Sequence, residues 1–286
     1  MLVTVYITTY NRREFLERAI ASVLNQTYSP IEIIVADDGS KDGSQEYLAT
    51  LHKGGILKAV LNKSGKSRGA CYGRNRAIEL AQGEFITGLD DDDYFEPWRI
   101  DTFVSKWFEF TRSKKQFSAL FDSVVEYRKS GKVACYDTEI VSYERLRKGN
   151  LVGNQIFARA SDFRAIEGFD EEMPALQDWD TWLRMSKYKG NILNINSRSY
   201  IQIQDHDSDR ITGKPGKKIR FAFARLMNKL EPLTFSEESK LLSVMYGGYP
   251  QVDSKAFELV KVLLGGHIKV VARVIKKALF KLKHST

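Results

Sequence analysis

Cysteine is scarce. Cys71 and Cys135 are the whole complement of a 286-residue chain, and their spacing fits neither a disulfide framework nor a zinc site. Free thiols in a reducing compartment are the expectation. Long apolar runs are missing too: none approaches the ~20 residues that a membrane-spanning helix requires. The opening stretch MLVTVYITTYNRR has no basic n-region, no extended apolar segment and no small-residue cleavage site, so a secretory leader is not expected and a cytoplasmic location is. Acidic residues vanish at the far end. None follows Glu258, whereas Lys261, Lys269, Arg273, Lys276, Lys277, Lys281 and Lys283 do, and these seven cations account for all but one of the net charge of +8. The rest of the chain is close to neutral. A nucleic-acid binder would more commonly spread basic residues over its fold, interleaved with aromatics, so no nucleic-acid partner is expected.

What is present is an ordinary globular composition, 43% hydrophobic and 28% charged, with enough length for one large domain or one domain and an appendage. Residues 3–8 alternate and are β-branched, as in a strand. Residues 13–26 place Phe15, Leu16, Ala19, Ile20, Val23 and Leu24 at helical spacing. Strand patterns recur at 31–36, 57–61 and 84–89, with helical patterns at 42–51 and 74–82 between them. That alternation implies βαβ units and a parallel sheet covered on both faces, with ligands at the carboxyl ends of its strands. Three of those ends carry polar clusters, Thr8-Thr9-Tyr10-Asn11-Arg12, Asp37-Asp38-Gly39-Ser40 and Asp90-Asp91-Asp92-Asp93, and they should converge on one edge. The second half is less regular. Residues 99–112 and 179–187 read as helices, 119–127 and 132–137 as a hairpin, 192–203 as strand, and the Lys-rich stretch from 213 as helical with a loop near 246–250. There is no internal repeat and no low-complexity segment.

The acidic run is the sharpest local signal. Four successive carboxylates after a buried strand repel one another unless something positive compensates them. One reading is a solvated turn with Asp93 capping the helix that follows Pro97. The other is a hard-oxygen site for Mg²⁺ or Mn²⁺ beside a substrate diphosphate. The Asp37-Asp38-Gly39-Ser40 turn is either a strand-to-helix connection or a place where an Asp accepts hydrogen bonds from a base or ribose. Gly69-Ala70-Cys71-Tyr72-Gly73-Arg74-Asn75 opens a helix whose N-terminus, with Arg74, suits phosphate, or is a generic glycine-rich connection. In Gln177-Asp178-Trp179-Asp180-Thr181-Trp182, Asp178 is an N-cap or a general base, and the indoles beside carboxylates suit a sugar subsite. His206, in a polar loop, is either unremarkable or a ligand of metal or phosphate.

Taken together, VYITTYNR, IEIIVADDGSKDGS, GACYGRNRAIELAQGEFITGLDDDDYFEP and GFDEEMPALQDWDTWLRM resemble, in order and approximate spacing, the family 2 inverting glycosyltransferases. The resemblance covers about residues 1–210, and four ordered motifs are far more specific than an isolated DxD. More narrowly the chain looks like the bacterial enzymes that extend lipid-linked O-antigen, colanic acid or capsule repeat units. It implies an α/β GT-A fold: a Rossmann-like nucleotide-binding half at 1–97, a mixed acceptor-side half at 98–212, and a basic helical C-terminal extension at 213–286. It also implies roles. Thr8 and Tyr10 match positions lining the nucleotide pocket, Asp38 the residue that reads the base, and Arg74 the basic residue near the nucleotide. Asp91 is assigned to the ribose, Asp92 to the metal (Mn²⁺ or Mg²⁺) and Asp90 to support, while Asp178 matches the catalytic base. His206 and Arg210 match a loop that closes over the diphosphate, His206 as a metal ligand. Gln177 stands where the family usually has an acid, which puts that acceptor contact in doubt; Trp179 and Asp180 complete the acceptor side.

The implied reaction moves a hexose, glucose or galactose favoured, from a UDP-sugar to an undecaprenyl-diphosphate-linked saccharide with a β-linkage as product. On a helical wheel, Ile268, Val271, Val274, Ile275, Ala278, Leu279 and Leu282 form one arc and Lys269, Arg273, Lys276, Lys277 and Lys283 the opposite one. That pattern suits a helix lying on the inner-leaflet surface, as a peripheral protein's would, or one packed on the body with a solvated basic face. Two rivals stand beside the transferase. A sugar-phosphate nucleotidyltransferase would carry a glycine-rich loop after the first strand, where TTYNRRE has no glycine. A non-enzymatic basic membrane or nucleic-acid-binding protein would leave the clustered acids without a purpose.

Overall fold

The computed structural model describes residues 1–128, 131–203 and 215–283. It opens with the expected alternation: β1 (Val3–Thr9), α1 (Arg13–Leu24), β2 (Ile31–Asp37), α2 (Ser44–Lys53), β3 (Lys58–Leu61), α3 (Ala70–Leu80) and β4 (Phe85–Asp90). Then follow β5 (Tyr94–Phe95), α4 (Arg99–Arg112), β6 (Ala119–Phe121), β7 (Val124–Arg128), β8 (Gly131–Cys135), β9 (Ile140–Val141), α5 (Tyr143–Leu146), β10 (Phe157–Arg159), α6 (Ala160–Ala165), α7 (Gln177–Lys189), β11 (Ile192–Asn194) and β12 (Tyr200–Ile203). Four helices close the chain: α8 (Gly216–Lys229), α9 (Phe235–Gly248), α10 (Ala256–Leu264) and α11 (Ile268–Lys283).

Among the described residues, eight strands form a sheet in the order β3-β2-β1-β4-β10-β6-β11-β9, and four form a second in the order β5-β12-β7-β8. The β3-β2-β1-β4 portion is parallel, while β10 runs antiparallel between β4 and β6. The fold is therefore the mixed α/β sheet of the GT-A class. Register sets the strand ends level: Thr8 lies opposite both Ala36 and Asp90, and Thr9 opposite Asp37. Val3, Val5 and Ile7 of β1 bury against Leu16, Ala19, Ile20 and Val23 of α1, the residues whose helical spacing marked that element.

The sequence pattern misses one device. Residues 119–127 read as one strand but divide at Asp122-Ser123 into β6, in the large sheet, and β7, in the small one. Residues 192–203 divide likewise into β11 and β12. Both breaks are held by one buried carboxylate. Asp122 accepts from the Arg99 guanidinium (3.2 Å), the Ser197 hydroxyl (2.7 Å), the Arg198 amide (2.8 Å), and the Ser199 amide and hydroxyl (both 2.7 Å). Arg99 lies over the rings of Phe95, Phe103 and Tyr200; burial brings its pKa down to about 10, against the opposing pull of Asp122, and it stays charged at neutral pH.

By internal contacts the chain forms two compact units. One comprises Met1–Tyr143, Asn150–Glu171 and Asp178–His206, and the other Glu144–Gly149, Glu172–Gln177 and Asp207–Thr286. In the second unit, α9 begins with a capping box at Thr234 and Glu237, and Arg147 donates to both Glu237 oxygens. Arg147 and the Thr234 amide hold that carboxyl down to about 2. Among the described residues no helix is long and apolar enough to cross a membrane.

Candidate active site

The carboxyl ends of β1, β2 and β4 do converge. Asp38 donates its amide to the Thr9 carbonyl (3.0 Å), the Asn11 amide donates to the Ser40 hydroxyl (2.8 Å), and Lys41 donates its amide to Asn11 Oδ1 (2.7 Å). Thr8 is half-buried and Tyr10 exposed at this edge. Helix α3 approaches closely: a Cβ at Gly73 would lie 3.2 Å from Ala36 Cβ and 3.3 Å from Thr8 Cγ2. Asp38 has a different occupation from the one its motif implied. Its carboxylate accepts from the Arg68 amide (2.7 Å), the Gly69 amide (2.8 Å), the Ser67 hydroxyl and Asn62 Nδ2 (3.1 Å). As placed, it builds the 62–69 loop and caps the start of α3 rather than presenting free acceptors to a base.

The acidic run splits two and two. Asp90 and Asp92 are half-buried, while Asp91 and Asp93 are buried. Arg12, at the residue before α1, donates Nη1 to Asp91 Oδ1 (3.1 Å) and to Asp92 Oδ2 (3.2 Å), and Arg18 donates to the Asp92 carbonyl (2.6 Å). Burial pushes the Asp91 carboxyl up to about 6, with Arg12 pulling the other way. Burial and the charges of Asp90 and Asp92 push Asp93 well above the usual carboxylate range; it accepts from Gln202 (3.3 Å). Protein cations thus compensate the acidic run, Arg12 of the VYITTYNR motif foremost, beside the solvent and the metal that the sequence suggests. Asp91, the residue expected at the ribose, is only 5% exposed and turned to Arg12.

Asp90 is the hub. Arg74 Nη2 donates to its Oδ1 (3.1 Å), Gln155 Nε2 to the same oxygen (3.2 Å) and Asn154 Nδ2 to Oδ2 (3.0 Å). Gln155 Oε1 in turn accepts from the Tyr6 hydroxyl (3.0 Å), and the Tyr200 hydroxyl accepts from Asn154 (3.1 Å) and from the Asp90 amide (3.2 Å). Burial raises the pKa of both tyrosines, so they keep their protons. No spacing in the sequence singled out Asn154, Gln155 or the two tyrosines. Gly88 leaves room for this network, since a Cβ there would sit 2.0 Å from Gln155 Oε1 and 2.4 Å from the Tyr6 ring.

Arg74 joins the hub to the second expected centre. Its Nη1 lies 3.6 Å from Asp178 Oδ1 at the start of α7, and its guanidinium stacks 5.1 Å from the Phe169 ring centroid. Burial disfavours that charge, but Asp90 and Asp178 outweigh burial and raise its pKa. At 4% exposure, Arg74 faces two carboxylates rather than open solvent, a different placement from the phosphate contact its motif suggested. Asn75 fixes the neighbouring loop reciprocally, donating to the Phe169 carbonyl and accepting from the Phe169 amide, both at 2.8 Å. Asp178 itself is partly exposed, which a proton acceptor needs.

The residues expected on the acceptor side are more deeply buried. Trp179 is 2% exposed and Trp182 fully buried, so the indoles pack in the core. Their large apolar surface outweighs the polar sequence around them. Asp180 is buried in an ion pair with Arg184 (2.9 Å), one turn on, and Gln177 is buried. His206 and Arg210 lie outside the described residues.

For a metal, the donor set decides. Among the described residues no group of three or more His, Cys, Asp or Glu side chains is arranged to hold an ion. The edge supplies hard carboxylate oxygens from Asp92 and Asp90 instead, which fits Mg²⁺ or Mn²⁺, ions held by one or two carboxylates with water and phosphate filling the remaining positions.

Residues 4–157 match the Glycosyl transferase family 2 profile. The chain belongs to that family. It is 34% identical over 219 residues to WcaA of Escherichia coli K12, a glycosyl transferase named for colanic acid biosynthesis, covering 76% of this chain and 77% of that one. A shorter match, 38% identical over 104 residues, is to the Campylobacter jejuni GalNAc(5)-diNAcBac-PP-undecaprenol β-1,3-glucosyltransferase, covering 36% of this chain and 33% of that one. Among solved structures, S. aureus TarS 1–349 in complex with UDP-GlcNAc superposes with a TM-score of 0.65 at 16% identity, over 95% of this chain and 82% of that one. The family 2 chain described here thus shares its GT-A fold.

Proposed function

We propose that this glycosyltransferase moves glucose or galactose from a UDP-sugar to a hydroxyl of an undecaprenyl-diphosphate-linked saccharide, with inversion, in assembly of an O-antigen- or colanic-acid-type polysaccharide. Residues 1–212 would form the transferase domain and 213–286 a basic helical extension. One observation carries the chemistry: a single buried guanidinium, Arg74, lies 3.1 Å from Asp90 at the sheet edge and 3.6 Å from Asp178 at the start of α7. The candidate base and the acidic edge therefore share one cation. The lipid-linked acceptor is supported by the name of the Campylobacter relative, the colanic-acid-type product by that of the Escherichia relative, and the uridine donor by the ligand of the TarS complex.

In the proposed step, Asp178 takes the proton of the acceptor hydroxyl. The oxygen attacks the anomeric carbon from the face opposite the diphosphate, the C–O bond to the β-phosphate breaks, and its electron pair leaves with UDP. A divalent cation, held by Asp92 with Asp90 in support and His206 as a further candidate ligand, would neutralise charge on the departing diphosphate. Arg12 and Arg18 hold the acidic loop in register with α1, and Gln155, Asn154 and Tyr200 fix Asp90 so that it cannot turn away.

A nucleotide-sugar screen against diphosphate-lipid GlcNAc and GalNAc tests this reading. UDP should be released from UDP-glucose or UDP-galactose only when acceptor is present. EDTA should abolish release, and Mn²⁺ or Mg²⁺ should restore it. Release of pyrophosphate from UTP and a sugar phosphate would instead identify a nucleotidyltransferase, and full turnover in EDTA would remove the metal.

A further inference from the structure

Helices α10 and α11 meet at Gly265-Gly266-His267, and both leave apolar side chains uncovered. On α10, Phe257, Val260 and Leu264 follow one another at i, i+3 and i+7, and all are exposed, Leu264 by 71%. On α11, Ile268, Ile275 and Leu279 follow at i, i+7 and i+11 and are exposed as well, Ile268 by 64%. Each set lies on one face of its helix, and Leu264 and Ile268 bring the two stripes together across the turn. The wheel reading treated the apolar residues of α11 as one arc. The structure divides that arc. Val271 is buried, with Val270 and Val274 half-buried beside it, so these valines pack within the second unit while Ile268, Ile275 and Leu279 stay outside.

Along α11 the flanks of the exposed stripe carry charge of one sign. Lys269, Arg273 and Lys276 flank it on α11 and are exposed, and the sequence holds no acid after Glu258. Soluble monomers rarely leave contiguous apolar surface of this kind without a use for it. We infer that the α10–α11 face docks on an anionic lipid surface, with Phe257, Val260, Leu264, Ile268, Ile275 and Leu279 entering the headgroup boundary and the flanking cations meeting lipid phosphates. Charge selects this occupant over a second copy of the chain, which would set one lysine-rich rim against another. The inference gives the lipid-linked acceptor reading a location, but the binding itself needs neither donor nor acceptor.

Co-sedimentation of the full chain with phosphatidylcholine vesicles, with and without phosphatidylglycerol, tests it. The chain should pellet with the anionic vesicles, should not with the neutral ones, and should be released by high salt. Leu264→Glu with Ile268→Glu should weaken that partition by roughly tenfold or more, because two exposed apolar contacts become charged. Lys269→Glu with Lys276→Glu should do the same through charge alone. Unfolding temperature and UDP release with a short-chain soluble acceptor should be unchanged in both variants, which separates failure of docking from failure of the transferase reading. Binding that ignores salt and lipid charge would overturn the inference, as would vesicle binding unaffected by either pair. So would a wild-type dimer that the Leu264→Glu, Ile268→Glu pair dissociates.

Discussion

Asp178→Asn should lower the transfer rate by about 10²–10⁴-fold, the range general-base removal costs, while UDP binding is retained. The substitution is nearly isosteric and removes only the capacity to take a proton. Arg74 keeps Asp90 as its partner at 3.1 Å, so no buried cation is stranded and the edge of the sheet should hold its shape. Steady-state UDP release gives the rate, and calorimetric titration with UDP gives the affinity. The pairing is informative because Asp180, two residues on, is buried against Arg184: Asp180→Asn should cost stability and leave the chemistry in the folded fraction nearly intact. An Asp178→Asn protein that turns over normally would place the base elsewhere.

The second large effect is on stability. Asp122→Ala should destabilise the first unit by about 3–5 kcal/mol, the cost of stranding one member of a buried ion pair. Against a total stability of roughly 5–15 kcal/mol this is a large share. Arg99 would lose its carboxylate in a fully enclosed site, and the Ser197, Arg198 and Ser199 donors would lose their acceptor together. Replacing the pair by Arg99→Met with Asp122→Leu should not restore stability, because the 197–199 turn still lacks its acceptor. Urea unfolding of the three proteins measures this. The consequence should reach the site, since that turn leads directly into Tyr200, whose hydroxyl accepts from the Asp90 amide and from Asn154. Wild-type stability in Asp122→Ala would mean the carboxylate is not the organiser of the two sheet breaks.

The fold of residues 1–97 was legible because its signals are local. Alternating β-branched residues, helical spacing from Phe15 to Leu24, and polar clusters at three strand ends all report on neighbours in sequence. Asp178 and Asp90 each stand within a short motif, so both are visible as candidates from the sequence. What the sequence could not show was pairing at a distance. Arg12 lies 79 residues from Asp91, and Asn154 lies 64 from Asp90; nothing in either neighbourhood announces the other. The compensation of the acids by Arg12 therefore has no local sign in the sequence. The same blindness made Trp179 look like a sugar platform, because a polar flank says nothing about which way an indole packs. At Asp122, a carboxylate within an apolar run was the available sign that a strand ends, and its meaning depended on Arg99 arriving from α4.

The central claim is that one base, Asp178, serves a single displacement on an α-linked donor held at the acidic edge. The configuration of the new linkage tests it most directly. With the donor identified in the screen, proton NMR of the purified product should show a β-anomeric signal from the first turnovers onward. An α-linked product from the same α-linked donor would require two displacements or a front-face attack, and would contradict the account.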